Sequence, residues 1–162
     1  RMSPGAHLLF GWLSGARYLP MRRERNLVAL SSIAPDLDGL GIIIDKISGN
    51  THYYLQYHHY LGHSIFSALL IATIASFLAT TQKRKVWCLA FIVVHIHIIC
   101  DIAGSKGPDG YQWPIYYLYP LNIDYGVTWK HQWELNAWQN SLIMFFLMLA
   151  SIYYARVKKL LS

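Results

Sequence analysis

Apolar stretches separated by short polar breaks extend along most of the chain, and two of them lie close together near its middle. One covers residues 65–81 and the other covers 86–100, with the basic turn 82–85 between them. Neither stretch contains Asp, Glu, Lys or Arg. Two apolar runs of this length joined by a short polar turn predict an antiparallel helical hairpin.

Four further segments flank this hairpin. The pattern predicts helices over 5–19, 26–34 and 137–155, and a short helix or re-entrant segment over 41–50. Pro35 ends the second of these helices. The first two helices would extend only about 15–22 Å, against about 30 Å for the hydrocarbon core of a bilayer. We therefore expect these two to be partly immersed or to pack inside the bundle.

Composition places this bundle in a membrane. Apolar and aromatic residues make up 54% of the 162 residues, and charged residues make up only 14%, against about 25% in soluble domains. The length fits a single domain over residues 1–162. The sequence therefore predicts an all-α, polytopic or deeply embedded membrane bundle of about five helices.

The net charge of +6 comes largely from three basic clusters, at residues 17–25, 83–85 and 156–159. Each cluster follows an apolar segment, which is typical of the cytoplasmic flanks of membrane helices. No basic-aromatic recognition motif accompanies the charge, so nucleic-acid binding is not expected.

Side chains of the types that ligate metals collect at the open end of the hairpin. His97 and Asp101 are four residues apart and so project from one face of a helix, about one turn apart. The antiparallel arms bring His63 to the same level, together with His58 or His59. His59 has the same four-residue spacing to His63, whereas His58 would have to lie in the preceding loop. Spacing alone does not choose between them.

Ionisable residues in apolar helices indicate a functional site. A centrally placed charge costs about 2.5–3.5 kcal/mol on insertion scales, so a cluster of them calls for a cation. Asp36 and Asp38 follow Pro35 as a loop pair in which one carboxylate could bridge two metals. The cysteines form no CxxC or Cys-His zinc pattern, so nitrogen and oxygen must hold the metal. This chemistry suits two divalent ions about 3.5–4 Å apart, with zinc favoured over Mn, Fe or Ni.

Two other ionisable residues lie near the same level. Glu134 opens the last helix on the side of the site, where it could partner a ligand, act as an acid or base, or cap the helix. His95 points roughly 200° around the helix from His97 and is interpreted as structural.

The predicted topology separates the basic clusters from the candidate ligands. All three clusters fall at one side of the bundle and the ligands at the other. The positive-inside rule then places the site on the non-cytoplasmic side. His97 lies roughly 18 Å and Asp101 roughly 24 Å from the basic turn, near the boundary between acyl chains and head groups. A membrane lipid or another amphipathic substrate, rather than a soluble metabolite, is expected there.

Five elements in order resemble a known family. They are an early helix histidine, a PDLD turn, an HxxxxHS element, an HxxxD element and a Gly-rich loop running to Trp113-Pro114. This pattern, over roughly residues 3–120, resembles the membrane-bound metal-dependent hydrolases, also described as LexA-binding inner-membrane-associated hydrolases. The resemblance implies a multi-helical inner-membrane protein, a divalent-metal site and hydrolysis, and it selects His58 over His59. The ligands carried over are His7, Asp36, Asp38, His58, His63, His97 and Asp101.

One departure from the family concerns the substrate. The family usually has arginine directly after the first histidine of the HxxxxHS element, where this chain has His59. A histidine holds a phosphate oxygen less well than an arginine fork does. The departure weakens the expectation of an anionic substrate, unless Lys106 or His131 takes the place of the arginine.

The predicted reaction is hydrolysis of a phosphoester or ester bond by a metal-bridged hydroxide, with Asp38 or Asp101 taking the proton. The main alternative is a non-catalytic membrane protein that metals hold together and that binds a protein partner. An open coordination position facing a cavity favours catalysis, and a closed ligand shell favours a structural role. A metal-ion transporter would need polar residues continuing toward the basic side, which the hairpin arms lack apart from small hydroxyls.

Overall fold

The structure is built from helices. The computed structural model describes residues 3–53, 59–107 and 109–158. Within them the chain forms α1 (Pro4–Tyr18), α2 (Arg22–Ser31), a 3₁₀ helix (Ala34–Leu40), α3 (Gly41–Ser48), α4 (Ile65–Leu78), α5 (Lys83–Gly104) and α6 (Trp138–Val157). Strand-like pairing in these residues is limited to two isolated bridges, Lys106 with Glu134 and Ile115 with Val127. The all-α prediction is confirmed.

The predicted hairpin is formed by α4 and α5. Small and β-branched side chains let the two helices approach closely. The buried cluster between them contains Ala72, Ala75, Ala79, Val86, Ala90 and Val93. Helix α5 begins at Lys83, three residues before the predicted arm, because Gln82 completes the turn in a left-handed conformation with φ of 45°. The basic residues of the turn therefore occupy the first turn of α5.

Glycines allow α1 and α2 to pack closely. A Cβ at Gly11 would clash with the Ser32 side chain, and one at Gly15 would lie 3.0 Å from the Cα of Arg25. The Ser32 hydroxyl donates to the carbonyl of His7 at 2.7 Å. The start of α1 and the end of α2 are therefore neighbours, and both helices contact α5.

A buried carboxylate joins the start of α2 to the hairpin turn. Glu24 is 1% exposed, and its Oε1 accepts from the backbone nitrogens and hydroxyls of Thr80 and Thr81 at 2.9–3.1 Å. Arg23 donates twice to the carbonyl of Leu78, at 2.8 and 3.1 Å. These bonds hold the first two basic clusters at the same end of the bundle.

Helix α6 runs parallel to α1 and brings the third basic cluster to this end. Near the starts of both helices, the Ser3 hydroxyl lies 3.9 Å from the sulfur of Met144. Further along, Trp12 and Ala155 line the same cavity. Arg156, in the last turn of α6, therefore lies beside the end of α1, as the sequence predicts.

The described helices include two that are long and apolar enough to cross a membrane, α5 and α6. Helix α2 and the segment Ala34–Ser48 are together also long and apolar enough to cross a membrane. The bend of 49° between them would make the pair a broken span or a re-entrant loop. Helix α4 is apolar but has only 14 residues. The prediction of a membrane bundle is thus confirmed as two to three candidate spans.

The chain between α5 and α6 covers the end of the bundle opposite the basic clusters. Ile65 donates its backbone N–H to the carbonyl of Tyr117 at 2.9 Å, and the Tyr117 hydroxyl lies 2.9 Å from Nε2 of His95. The Trp133 indole donates to Asn140 at 2.9 Å. These bonds tie the loop to α4, α5 and α6 and hold the end of α5 in place.

Candidate metal centre

Four ligand-type side chains from three segments converge at the covered end of the bundle. Asp36 comes from the 3₁₀ helix, His63 from the loop before α4, and His97 and Asp101 from α5. One ligand atom of each lies within 4.8 Å of the others. Three of the side chains are 0% exposed, and that of Asp36 is 9% exposed. This group could hold a metal ion.

Helix α5 presents His97 and Asp101 on one face, as their spacing predicts. His97 Nε2 lies 3.4 Å from Asp101 Oδ2 and 3.6 Å from Asp36 Oδ1. The other ring nitrogen of His97, Nδ1, lies 2.8 Å from the backbone carbonyl of Ser32. Because a carbonyl only accepts, Nδ1 carries the hydrogen, and the lone pair of Nε2 faces the group.

His63 lies between two carboxylates. Its Nε2 is 3.3 Å from Asp101 Oδ2 and 3.3 Å from His97 Nε2, and its Nδ1 is 2.9 Å from Asp38 Oδ2. Burial disfavours the charged imidazole, but the hydrogen bonds to Asp101 and Asp38 outweigh it and raise the pKa of His63 to about 9. Metal ligands must be deprotonated, so a cation bound here would displace a proton from His63.

Asp38 lies behind His63 rather than within the four-residue group. Its Oδ2 accepts from the backbone nitrogens of His59 at 3.0 Å and Gly62 at 3.1 Å, in addition to the contact with His63. The sequence predicted both Asp36 and Asp38 as ligands. In a 3₁₀ helix, however, side chains two residues apart point about 120° away from each other. The arrangement gives Asp38 the role of orienting His63.

A glycine permits the 3₁₀ helix to approach the histidine segment. A Cβ at Gly62 would overlap the carbonyl oxygen of Pro35 and lie 2.8 Å from its carbonyl carbon. Because the clash would be with backbone, no side-chain rotation could relieve it. The close approach between Pro35 and Gly62 is what brings Asp36 and Asp38 to His63.

His7 completes one wall of the centre. Its ring stacks on that of His97, with centroids 3.8 Å apart, and its Nε2 lies 3.5 Å from Asp101 Oδ1. Both atoms are buried, and the 3.5 Å between them is longer than a normal N–H···O hydrogen bond. A divalent cation with nitrogen and oxygen ligands would satisfy both, so the residues present fit such an ion.

His58 lies outside the described residues, whereas His59 is placed at the cluster. The His59 side chain is 1% exposed, and its Nε2 lies 3.8 Å from Asp101 Oδ2. Its ring meets Trp113 edge-on, with centroids 5.9 Å apart. Its φ of 70° is uncommon for a non-glycine residue, and such conformations concentrate at functional sites. The choice of His58 over His59 that the resemblance implies stays a prediction, and His59 has a position beside the ligands.

The remaining candidates lie away from the four-residue group. Glu134 has an exposed side chain, and its backbone pairs with Lys106, so its predicted role as an acid or base receives no support from this position. The two ring nitrogens of His95 lie 2.8 Å from the carbonyl of Phe91 and 2.9 Å from the Tyr117 hydroxyl. His95 thus links α5 to the covering loop, in keeping with its structural interpretation.

Two residues that support the centre were not predicted. Ser32 orients His97 through its backbone carbonyl, and no residue-type signal could have identified it. Gln132 is buried, and its Nε2 donates to the carbonyls of Asp101 at 3.2 Å and Ile102 at 3.1 Å. It closes the end of α5 from a loop without hydrophobic periodicity, so its role depends on the tertiary fold.

The PDLD turn, the HxxxxHS element and the HxxxD element thus meet at one end of a helical bundle. No curated protein and no solved structure gives a significant match to the chain. A family model described as YdjM inner membrane protein matches residues 2–160, which is consistent with the resemblance drawn from the five ordered elements. The chain therefore belongs to the YdjM inner membrane protein family.

Proposed function

We propose that the protein is a membrane-embedded metal-dependent hydrolase acting on a phosphoester or ester bond of a lipid or another amphipathic substrate. The observation that carries the proposal is the buried group of Asp36, His63, His97 and Asp101, whose ligand atoms lie within 4.8 Å of one another. Membership of an inner membrane protein family supports a substrate that reaches the site from the bilayer.

The ligand set suits zinc, with manganese, iron and nickel as alternatives, because it combines imidazole and carboxylate without thiolate. The four-residue group would hold one ion. His7 and Asp101, whose buried Nε2 and Oδ1 atoms lie 3.5 Å apart, would hold a second ion.

The proposed chemistry divides the work among the side chains. A bound divalent cation supplies Lewis acidity toward a phosphoryl or carbonyl oxygen and lowers the pKa of water. Asp101 and His97 hold the centre, and Asp38 keeps His63 oriented. Asp36 has the most exposed side chain of the four, at 9%. It would therefore accept the proton released by the attacking water and pass it to solvent. With three donors already on Asp38 Oδ2, that oxygen is a poor proton acceptor.

The proposed site faces the non-cytoplasmic side of the inner membrane. The basic residues at the ends of α1 and α6 and in the hairpin turn lie at the opposite end of the bundle. Such residues concentrate on the cytoplasmic side of membrane proteins. A lipid head group of the outer leaflet would therefore meet the centre.

The proposal is tested with the detergent-purified protein. Bound metal is measured by elemental analysis, and turnover of a phospholipid and of an artificial phosphoester is measured with and without chelator. His97→Ala should lose metal and turnover, whereas His52→Ala, which removes an exposed histidine, should retain both. Wild-type turnover that continues after complete removal of metal would rule out the mechanism.

A second function is favoured by the burial of the centre. Three of the four ligand side chains are 0% exposed, as expected if metal only holds the helices together while the protein binds a partner. In that case chelation would lower the thermal stability of the protein, and no ester or phosphoester would be turned over at any metal content. Turnover that depends on bound metal would support the hydrolase and exclude a purely structural role for the metal.

A further inference from the structure

Two cavities meet at Leu37, on the side of the bundle formed by α2, the 3₁₀ helix and α4. One has a volume of about 380 Å³ and extends between α2 and α4. The other, of about 760 Å³, extends over the 3₁₀ helix and α3 toward Leu61. Both volumes lie within the range of about 300–1,000 Å³ that is usual for ligand sites. We call the two cavities together the α4 groove.

The upper end of the α4 groove lies beside the 3₁₀ helix that carries two of the candidate acids. Asp38 borders the upper cavity, but its side chain is only 1% exposed and is turned inward, where its Oδ2 lies 2.9 Å from Nδ1 of His63. Leu61, on the opposite wall, is two residues from His63. A molecule lying in the groove would therefore have one end next to the residues that hold the proposed ions.

The walls of the groove suit a hydrocarbon chain. Among the described residues that line it, Asp38 at the upper end is the only charged one. Ile71, Ile74 and Leu78 form an i, i+3, i+7 stripe along α4, and Leu27 and Leu30 of α2 face the same cavity. An aliphatic channel of this kind matches the apolar tail of a lipid.

The groove also has the length and direction of a lipid tail. The stripe on α4 covers about 10 Å of the helix axis, and a single leaflet of the hydrocarbon core is about 15 Å thick. The upper cavity continues from the stripe toward the covered end of the bundle. With the proposed placement in the membrane, the groove would extend from the level of the metal centre over about 10 Å of one leaflet.

We propose that the α4 groove binds the acyl chain of a membrane lipid and holds its head group beside the 3₁₀ helix that carries Asp36 and Asp38. The inference rests on the proposed function for what happens to the head group, and it narrows the substrate to a lipid with at least one long acyl chain. Binding of the chain itself needs only the groove.

The experiment uses the full-length protein in lipid nanodiscs with two single-chain phospholipid probes. One probe carries a photoreactive diazirine beside the head group and the other carries it at the end of the acyl chain. After irradiation, the labelled residues are mapped by mass spectrometry. The head-group label should attach near Leu61 and Leu40, and the chain-end label near Ile74 and Leu78. Labels of both kinds spread evenly over the exposed apolar residues of α4 and α5 would overturn the inference.

Matched variants on α4 sharpen the test. Ile74→Trp places a large ring in the groove and should lower chain-end labelling of the groove about tenfold. Leu69→Trp makes the same change about 140° around the helix, at a residue that is 39% exposed and outside the groove lining. It should leave the labelling pattern unchanged. Equal effects of the two variants would exclude a specific groove.

Failure of the groove and failure of the hydrolase have different results. The ordered labelling should persist in His97→Ala and in protein treated with chelator, because the walls of the groove contain none of the four ligands. Ordered labelling without turnover would contradict the proposed reaction and still support binding of the acyl chain in the groove. Turnover with unordered labelling would leave the hydrolase intact and remove the groove.

Discussion

Glu24 and Asp101 are both buried carboxylates, but they lie at opposite ends of the bundle and have different neighbours. Oε1 of Glu24 is surrounded by backbone N–H and hydroxyl donors from Thr80 and Thr81. Around Asp101 lie the imidazoles of His7, His63 and His97. A backbone N–H can only donate to a carboxylate. An imidazole nitrogen can instead bind the same metal ion as the carboxylate.

The comparison separates a structural carboxylate from a ligand-type one. Glu24 joins α2 to the hairpin turn at the basic end, and the groups that donate to it belong to Thr80 and Thr81 and not to metal-ligand side chains. Each carboxylate leaves one oxygen without a hydrogen bond among the described residues, Oε2 of Glu24 and Oδ1 of Asp101, but Oδ1 of Asp101 faces an imidazole nitrogen, His7 Nε2, at 3.5 Å. Burial and charge alone would not distinguish the two residues, and the chemistry of the surrounding atoms does.

The largest effect is expected from Asp101→Asn. The amide removes the negative charge at the centre and one of the oxygens available to a cation, while the side chain keeps its shape. Metal affinity should fall by about a hundredfold or more, as loss of a direct ligand exceeds the ten- to hundredfold typical of an orienting partner. Elemental analysis after dialysis against limiting zinc measures the change. Unaltered metal content would mean that Asp101 is not a ligand.

Removal of metal from the wild-type protein is expected to destabilise it. An ion present at about a hundred times its dissociation constant adds about 2.7 kcal/mol to stability. Chelation should therefore lower the midpoint of thermal unfolding in detergent, and added zinc should restore it. If the midpoint is the same with and without chelator, the covered end of the bundle is held together without a cation.

Asp38→Asn is expected to have a smaller effect, because Asp38 acts through His63. Metal affinity should fall about ten- to hundredfold. The matched control is Asp45→Asn, since Asp45 accepts from Thr51 at 2.7 Å and from the backbone of Tyr53 at 2.8 Å, within α3 and the turn after it. A metal titration of both variants compares them. Equal affinities would show that orientation of His63 does not matter.

The smallest effect is expected from Glu24→Gln, the counterpart of the first substitution at the other end. The amide oxygen can still accept from Thr80 and Thr81, but these bonds lose their charge-assisted strength, at a cost of about 1 kcal/mol. Thermal unfolding should report this loss, while metal content stays at the wild-type level. Loss of metal in Glu24→Gln would abolish the distinction between the two ends.

The hairpin was predictable because its pattern is local. The two uncharged runs and the basic turn are contiguous in the sequence, and the antiparallel arms follow from them. The one-face arrangement of His97 and Asp101 follows likewise from the four-residue spacing. The position of these residues opposite the basic clusters then depends only on helix length.

The roles within the PDLD turn were not predictable in the same way. The sequence predicted both Asp36 and Asp38 as metal ligands. In the structure their side chains point in different directions, because the segment is a 3₁₀ helix that turns about 120° per residue. The role of the Ser32 carbonyl in orienting His97 could not be predicted from the sequence either, since every residue has a backbone carbonyl. Gln132 reaches Asp101 from 31 positions away in the chain.

The sequence by itself determined the helices, the membrane setting, the separation of basic residues from acids and histidines, and the candidate ligand types. These depend on composition and short-range spacing, which the chain carries directly. Only the tertiary structure decided which side chains meet and which atom of each faces the centre. A ligand set requires distances of a few ångströms between segments far apart in sequence, and those distances depend on close backbone contacts such as that between Pro35 and Gly62.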